Sequence, residues 1–297
     1  MSISRQNLSV VIVTLKSENV VHDCIKSINQ DLPIIVVEQS NNNSFKEELE
    51  NKYKNLKCIL SKSNLGMGTG NNIGIRAAKT EYVLILNPDV ILEKNTIEEL
   101  FVAAKELSDF TILAPLEINY KNYGRVVQKD NSNNLPFKVD FVDGFAMLLN
   151  KKKFKENDYF DENFFMYLEN NDLCKRVFNK GGSIFIVPNS KINHLAAKAV
   201  NEKFSVEIEY SRNWHWIWSK YYFNKKHFGF LKAFLSGIKS YFSSILKFLF
   251  YSFFNNKVKR KIYFNRASGF FNALIGKSSK QQQLKRVLES CAQGVRP

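Results

Sequence analysis

The stretch YVLILNPDV, from Tyr82 to Val90, is the part of the chain that decides the fold. Its apolar run ends at Asn87-Pro88-Asp89, which predicts a buried strand that delivers one carboxylate at its C-terminal end. In open α/β sheets, ligands bind at this edge. Asp89 is therefore a candidate ligand-binding residue, although a single Asp in such a sequence is more often a turn or helix-capping residue.

Around this strand, the first 120 residues alternate strand-like and helix-like segments. Apolar runs predict further strands at Leu8–Leu15, Pro33–Glu38, Lys57–Leu60 and Thr111–Ala114. Helical spacing predicts helices at Val20–Ile28, Phe45–Tyr53, Asn71–Ala78 and Ile97–Leu107. This order, with short connections, predicts an α/β fold with a mostly parallel sheet and helices on both faces.

After Pro115 the alternation stops, and a second informative segment follows at Phe160–Arg176, FDENFFMYLENNDLCKR. It places Glu169 and Asp172 three residues apart, on one face of a helix predicted to begin near them. Strand-like runs flank it, at FAMLLN (Phe145–Asn150), SIFIV (Ser183–Val187) and KINH (Lys191–His194). A single carboxylate at a strand end and an acidic helix are the groups that nucleotide-sugar transfer requires.

The charge of the 297-residue chain is unevenly distributed. Residues 1–200 contain 25 Lys and Arg against 24 Asp and Glu, whereas residues 201–297 contain 18 against 4. A basic C-terminal third favours nucleic acid, anionic lipid or an acidic substrate as partner. No nucleic-acid-binding motif is present and the segment is hydrophobic between its charges, so we expect an anionic membrane surface and no nucleic acid.

Within this basic third, residues 228–254 are dense in Phe, Leu and Ile, but Lys232, Lys239 and Lys247 interrupt them. Three lysines argue against a simple membrane span and favour a basic amphipathic helix in the membrane interface. The alternative is a helical hairpin packed on the rest of the chain, with solvated lysines. We divide the chain into an α/β domain, residues 1–222, and a basic amphipathic helical, membrane-associating region, residues 223–297.

The segment Asn64–Gly74, NLGMGTGNNIG, predicts a glycine-rich turn that opens a helix, where backbone amides favour phosphate. It follows the third strand and so does not match a dinucleotide fingerprint.

The four cysteines are scattered without metal spacing, which indicates reduced core thiols. No secretory signal is visible, so we expect a cytoplasmic protein, peripheral on the inner face of the cell membrane.

Taken together, VVIVTL, NLGMGTGNNIGI, LNPDV, VDGFAMLLNKKKF, FDENFFMYLENNDLCKRV and VPNSKINH resemble family 2 inverting glycosyltransferases of the GT-A fold. The resemblance is to the rhamnosyltransferase-like branch that builds bacterial surface polysaccharides such as O-antigen, and it runs from about Leu8 to about Lys220. It implies transfer of one sugar, with inversion, from a dTDP- or UDP-activated donor, with dTDP-rhamnose among the candidates. The implied acceptor is a lipid-linked carrier or an oligosaccharide.

The resemblance also implies a role for individual residues. Those matching the nucleotide-binding positions are Thr14, Glu38, Asn64, Gly66, Asn71 and Asn87. Asp89 matches the carboxylate that binds Mg²⁺ or Mn²⁺ on the diphosphate, and His194 matches a further metal ligand. Asp143 and Gly144 match the acceptor-side strand, and the start of the acidic helix matches the segment that supplies the catalytic base.

The sequence departs from the family at two positions. The usual Glu-Asp pair is Glu169-Asn170 here, and an Asn amide cannot accept the acceptor's proton. Either Glu169 or Asp172 is then the base, and we favour Glu169; a relative that only binds glycan or nucleotide is the alternative. We expect Asn170→Asp to be tolerated. Glu38-Gln39-Ser40 stands where many relatives have Asp-Asn-x-Ser, which changes the reach of the carboxylate towards the nucleotide base.

Overall fold

The computed structural model describes residues 3–28, 31–128, 134–155, 158–195 and 205–280. The chain divides into two compact units, each described below by itself. The first unit is drawn from Met1–Asp161 and Glu169–Val200, and the second from Glu162–Leu168 and Asn201–Pro297.

The first unit contains ten strands and five α-helices among its described residues. The strands are β1 Leu8–Thr14, β2 Ile34–Glu38, β3 Leu56–Leu60, β4 Tyr82–Leu86, β5 Val90–Leu92, β6 Ile112–Glu117, β7 Val126–Gln128, β8 Phe137–Val139, β9 Ala146–Asn150 and β10 Ile184–His194. The helices are α1 Glu18–Ser27, α2 Asn43–Lys52, α3 Met67–Ala77, α4 Thr96–Glu106 and α5 Glu169–Asn179.

These strands form one mixed sheet in the order β3-β2-β1-β4-β9-β6-β10-β8-β7, with β5 paired to β10 outside this path. The pairs that join β1, β2, β3 and β4 are parallel, as is the pair of β6 with β10. Strand β9 runs antiparallel between β4 and β6. The carboxyl ends of β1, β2 and β4 therefore lie at one edge, where the residues of the predicted site begin.

Helices cover both faces of this sheet, as the sequence predicted. All seven residues of β1 are buried, and alternate side chains enter different cores. Val10 and Ile12 pack in one core with side chains from α1, α2 and α4, whereas Val11 and Val13 pack in the other with α3 and α5. Burial on both faces is the reason that β1 is continuously apolar.

Two local predictions need correction. The runs at Ser183–Val187 and Lys191–His194 belong to the single strand β10, whose pairing with β6 shifts register between Val187 and Lys191. Pro188 has no N–H to donate, and it lies at this irregularity.

Helix α3 begins at Met67, earlier than predicted, so Gly68 and Gly70 lie within its first turns. A Cβ at Gly70 would approach Val13 Cγ1 to 2.7 Å, so the close packing of α3 on β1 requires glycine there.

The second unit contains three long helices among its described residues, α6 Ser205–Phe228, α7 Phe230–Phe253 and α8 Lys257–Leu274. Its core includes Trp214, Trp218, Ala233 and Phe270. A C-terminal helical region is thus present, but the boundary predicted between residues 222 and 223 falls inside α6, and that division stays a prediction. Among the described residues, no helix is both long enough and apolar enough to span a membrane.

Candidate active site

Asp89 and His194 meet although they are far apart in sequence. After β4 the chain turns at Asn87–Asp89, where the amide of Asn87 donates to the carbonyl of Phe145 at 2.8 Å. Strand β5 then pairs antiparallel with β10, which places His194 opposite Val90. As a result Asp89 Oδ1 lies 3.3 Å from His194 Nε2, and the Asp89 residue is only 5% exposed.

The imidazole of His194 is held from several sides. The hydroxyl of Tyr120 lies 2.6 Å from Nδ1, and the ring of Phe145 stacks on the imidazole with 4.4 Å between centroids. The backbone N–H of His194 donates to Glu117 Oε2 at 2.7 Å. A hydroxyl both donates and accepts, so Tyr120 can satisfy Nδ1 whichever nitrogen carries the proton. These contacts fix the ring with Nε2 directed at Asp89.

Negative charge is concentrated around this histidine. Burial raises the pKa of the Asp143 carboxyl, and the nearby His194 partly offsets that rise. Burial, followed by the charges of Glu117, Asp143 and Asp89, raises the pKa of the Tyr120 hydroxyl to about 12. A concentration of acidic groups at the end of a sheet favours a cation there.

The pair of Asp89 and His194 suits a divalent cation, but it supplies only part of a coordination shell. Within the described ranges, no group of three or more His, Cys, Asp or Glu side chains is placed to hold a metal ion. Mg²⁺ is typically held by one or two carboxylates together with substrate phosphates and water, and Mn²⁺ accepts similar oxygen ligands. The residues therefore fit a metal whose remaining ligands come from a phosphorylated substrate.

Thr14 and Glu38 end the neighbouring strands β1 and β2 and pair in register. The Thr14 hydroxyl is buried and has no hydrogen-bond partner among the described residues. Glu38 differs, because its carboxylate accepts from the amides of Ser40 and Asn42, at 2.8 and 2.9 Å, and from the Ser40 hydroxyl at 2.5 Å. Both carboxylate oxygens thus hold the loop that follows β2, and a direct contact of Glu38 with a nucleotide stays a prediction.

The buried side chain of Gln39 organises the loop that precedes α3. Its Oε1 accepts from the amide of Leu65 at 2.7 Å, and its Nε2 donates to the carbonyl of Gly66 at 3.3 Å. Asn64 Oδ1 accepts from the amide of Gly66 at 3.0 Å, so this predicted site residue shapes the same turn. Gly66 has a φ of 86°, which lies in the region that favours glycine.

Two buried polar atoms of α3 also lack hydrogen-bond partners in the described part of the chain. They are Thr69 Oγ1 and Asn71 Oδ1, on residues that are 5% and 3% exposed. Gly70, between them, lies against Val13 and Gln39, so this turn of α3 packs on the ends of β1 and β2. Buried polar groups are normally satisfied, and such a set at a sheet edge indicates a polar ligand.

Glu169, the first residue of α5, lies beside the same turn of α3. A Cβ at Gly68 would be 3.5 Å from Glu169 Cβ. Glu169 Oε2 is buried and has no hydrogen-bond partner among the described residues. Burial raises the pKa of this carboxyl to about 7, only partly opposed by a hydrogen bond from its own backbone. A carboxylate with a pKa near neutrality has the properties of a general base.

Asp172 lies in a different environment, although it is on the same helix. It is fully buried, and its Oδ2 lies 2.8 Å from Arg176 Nε. Arg176 also donates to the backbone carbonyls of Asp158 and Tyr159. The carboxylate of Asp172 is therefore engaged by a guanidinium that also holds the backbone before α5. Asp172 therefore anchors α5, and Glu169 is the better candidate for the base.

Asn170 connects α5 to the segment that precedes β9. Its Nδ2 donates to the carbonyl of Val142 at 3.1 Å, directly before the predicted residues Asp143 and Gly144. A Cβ at Gly144 would lie 2.9 Å from Asn170 Cβ, so the absence of a side chain at Gly144 permits this approach. This hydrogen bond gives a structural reason for an asparagine at position 170, and that reason does not depend on any loss of catalysis.

We therefore expect Asn170→Asp to destabilise the protein, contrary to the tolerance expected from the sequence. A carboxylate cannot donate to the Val142 carbonyl, so the free energy of unfolding should fall by about 1–3 kcal/mol at neutral pH. Thermal unfolding measures this change, with Asn171→Asp as the matched control in the same first turn of α5. An unchanged melting temperature for Asn170→Asp would show that the Val142 contact contributes little.

Several residues of this site were not predicted. Glu117 and Tyr120 lie in a polar region without a motif, and only the pairing of β6 with β10 brings them to His194. Gln39 was noted only as part of a departure from the family pattern. Arg176 was visible in the acidic segment, where an Arg four residues after Asp172 is a known helical pairing signal.

The sequence belongs to a known family. The family described as glycosyl transferase family 2 matches residues 9–176, more than half of the chain. The chain is therefore a member of glycosyltransferase family 2.

Several relatives of this chain have names that indicate glycan synthesis. The low-salt glycan biosynthesis hexosyltransferase Agl10 of Haloferax volcanii is 26% identical over 190 residues, 57% of this chain and 61% of that protein. The rhamnosyltransferase WbbL of Escherichia coli K12 is 24% identical over 224 residues, 63% of this chain and 83% of that protein. The chain thus spans less than two thirds of the length of Agl10.

Solved structures show the same fold. The crystal structure of Staphylococcus aureus TarS 1–349 superposes with a TM-score of 0.53 at 16% identity, covering 91% of this chain and 92% of that one. The structure of GalNAc-T7 with UDP, GalNAc and Mn²⁺ gives a TM-score of 0.54 at 18% identity, covering 63% of this chain and 43% of that one. At these identities the likeness establishes the fold alone.

Proposed function

We propose that this family 2 member is a metal-dependent inverting glycosyltransferase that moves one sugar from a nucleoside-diphosphate donor to a glycan or lipid-linked acceptor. The observation that carries the proposal is the approach of Asp89 Oδ1 to His194 Nε2, 3.3 Å apart at the carboxyl edge of the sheet. A carboxylate and an imidazole beside further acidic groups suit Mg²⁺ or Mn²⁺ on a diphosphate. When bound, such a cation supplies charge neutralisation for the leaving nucleoside diphosphate.

Donor binding is assigned to the edge formed by β1, β2 and the start of α3. The orphaned buried atoms Thr14 Oγ1, Thr69 Oγ1 and Asn71 Oδ1 support this assignment, because a nucleotide offers them polar partners. The loop that contains Asn64 and Gly66 is already shaped by Gln39. We assign the donor to the dTDP or UDP class, with dTDP-rhamnose as one candidate.

In the reaction, the acceptor hydroxyl attacks the anomeric carbon from the side opposite the nucleoside diphosphate. Glu169 takes the hydroxyl proton on its carboxylate as the new glycosidic bond forms and the bond to the diphosphate breaks. Asp172 and Arg176 hold the helix that carries Glu169. Asp143 and Gly144 lie on the acceptor side, next to the Val142 carbonyl that positions Asn170.

We further propose that the acceptor belongs to cell-surface polysaccharide synthesis and is presented at the cytoplasmic face of the membrane. The relative named for low-salt glycan biosynthesis supports a glycan as the class of acceptor, and the relative named as a rhamnosyltransferase supports rhamnose as a candidate donor sugar. The basic C-terminal third supports a location at an anionic surface. In this proposal the protein is cytoplasmic and peripheral, and it needs no nucleic acid.

The proposal predicts hydrolysis of one nucleotide sugar by the wild-type chain. We expect release of UDP or dTDP from one donor in a panel, with Mn²⁺ or Mg²⁺ present and strongly reduced by EDTA. Water replaces the acceptor in this assay, so the unknown acceptor is not needed. Undiminished turnover in EDTA contradicts the metal-dependent mechanism, and binding of a donor without any turnover favours the binding-only alternative.

A further inference from the structure

Helix α7 carries large apolar side chains on its exposed side as well as on its packed side. Phe234, Ile238 and Tyr241 are partly buried against the core of the second unit, and Gly237 approaches Phe270 so closely that a Cβ would lie 2.1 Å from that ring. Many of the exposed residues are also large and apolar, among them Leu231, Leu235, Phe242, Leu246, Leu249 and Phe253. Soluble helices normally bury their large apolar side chains and expose polar ones. Large apolar residues that face outward, with a small residue at the close helix contact, are typical of helices in contact with lipid.

The exposed residues form one continuous surface. Their helical spacing places all six on one side of α7, and Leu246 and Phe253 are 68% and 85% exposed. Leu249 also lines a groove of about 400 Å³ between α7 and α8, with Phe248 and Phe264 in its wall. A continuous apolar patch of this kind marks an interaction site. We call it the outer face of α7.

Charge indicates what covers this outer face. Residues 210–280 contain 14 Lys and Arg and no Asp or Glu. Lys232, Lys239 and Lys247 are exposed on α7 itself, outside the six-residue apolar stripe. Lys247 Nζ lies 5.2 Å from the ring centroid of Tyr263 and Lys259 Nζ lies 5.2 Å from that of Tyr251, which places aromatic rings beside the cations.

This combination favours one occupant over the others. A second copy of the chain would bring two acid-free basic surfaces together, and like charges repel. An anionic bilayer offers hydrocarbon for the apolar stripe and negative headgroups for the lysines, whose alkyl stems extend to the headgroup level. None of the described helices is long and apolar enough to span, which suits a helix that lies in the plane of the interface.

We propose that the outer face of α7, together with the α7–α8 groove, docks on the surface of an anionic lipid bilayer with α7 parallel to that surface. The docking surface deepens the proposed function, because it names the place where the enzyme would meet a lipid-linked acceptor. Only this link to the acceptor rests on the proposed function. The docking itself requires only the second unit's described helices.

Flotation of the full chain with vesicles tests the proposal. We expect binding to vesicles that contain phosphatidylglycerol and much weaker binding to pure phosphatidylcholine. Combined Leu235→Gln, Phe242→Gln and Leu246→Gln should weaken binding at least about tenfold. Combined Lys232→Gln, Lys239→Gln and Lys247→Gln should weaken it about 100-fold, because each basic residue near an anionic leaflet contributes about fivefold.

Matched variants in the first unit control for composition and charge. Val102→Gln, Val127→Gln and Leu135→Gln alter exposed apolar residues elsewhere, and Lys54→Gln, Lys57→Gln and Lys94→Gln remove the same charge. Neither set should change flotation by more than about twofold. Circular dichroism and thermal unfolding confirm that every variant is folded.

Equal losses in the α7 variants and their controls overturn the proposal, as does binding that ignores phosphatidylglycerol. Self-association that the Leu235, Phe242 and Leu246 changes abolish, without vesicle binding, assigns the outer face to a second copy and also overturns it. Donor hydrolysis by the wild-type chain, measured without vesicles, separates the two proposals. Flotation without hydrolysis contradicts only the proposed function, and hydrolysis without flotation contradicts only the docking surface.

Discussion

Asp89→Asn is expected to lower sugar transfer by at least about 10²–10³-fold, because it removes the charge that we propose holds a cation on the leaving group. Asparagine keeps the volume of the buried side chain, so the fold should be retained. It loses the negative charge that faces His194 Nε2 at 3.3 Å. Nucleotide release from the active donor, measured across a range of Mn²⁺ concentrations, gives the rate and the apparent metal affinity together.

Two further variants sharpen this experiment. Asp109→Asn is the control, since the Asp109 side chain is 89% exposed and lies outside the site. His194→Ala should reduce metal affinity less severely than Asp89→Asn, because a neutral imidazole contributes less charge than a carboxylate. Near-normal turnover of Asp89→Asn would remove the metal assignment, whereas equal loss in Asp109→Asn would indicate a general effect on the protein.

Glu169→Gln is expected to lower turnover by about 10²–10⁴-fold with little change in donor binding, because it removes the proposed general base. Asp172→Asn should act differently, since it breaks a buried ion pair with Arg176 and so reduces stability more than the chemical step. Measuring turnover, donor affinity and melting temperature for both variants separates these effects. A fully active Glu169→Gln with an inactive, well-folded Asp172→Asn would reverse the two roles.

The Glu169 carboxyl makes both turnover and stability depend on pH. Because the base must be ionised, turnover of the wild type should rise through pH 7, the pKa to which burial raises Glu169. Between the ordinary carboxyl pKa and about 7, the folded state holds a proton that the unfolded state has lost, so stability falls as pH rises through this window. Glu169→Gln should therefore be more stable than wild type above pH 7, and a lower melting temperature there would contradict the burial of an ionised carboxylate.

Much of the first unit could be predicted from local sequence pattern. The strands β1, β2, β3 and β4 were predicted because apolar runs bounded by turn residues carry their own signal. Asp89 and Glu169 could be predicted as site residues for the same reason, because Asp89 comes soon after the apolar strand β4 and Glu169 begins the periodic helix α5. The irregularity at Pro188 was not predicted, because the pairing of β10 with β6 keeps the strand together across a proline. The early start of α3 was not predicted, because glycines usually indicate a turn, whereas here they permit close packing of the helix on β1.

The sequence by itself determined the α/β class, the strand that presents Asp89 and the helix that begins at Glu169. Only the tertiary structure distinguishes the two carboxylates of that helix: burial raises the pKa of Glu169, whereas Asp172 pairs with Arg176 of the same helix, which also reaches the backbone carbonyls of Asp158 and Tyr159. It also decided that β5 and β10 pair to bring Asp89 to His194, and that α7 exposes its large apolar side chains. Periodicity identifies a face of a helix or strand, but only the packed chain decides whether that face meets protein, ligand or solvent.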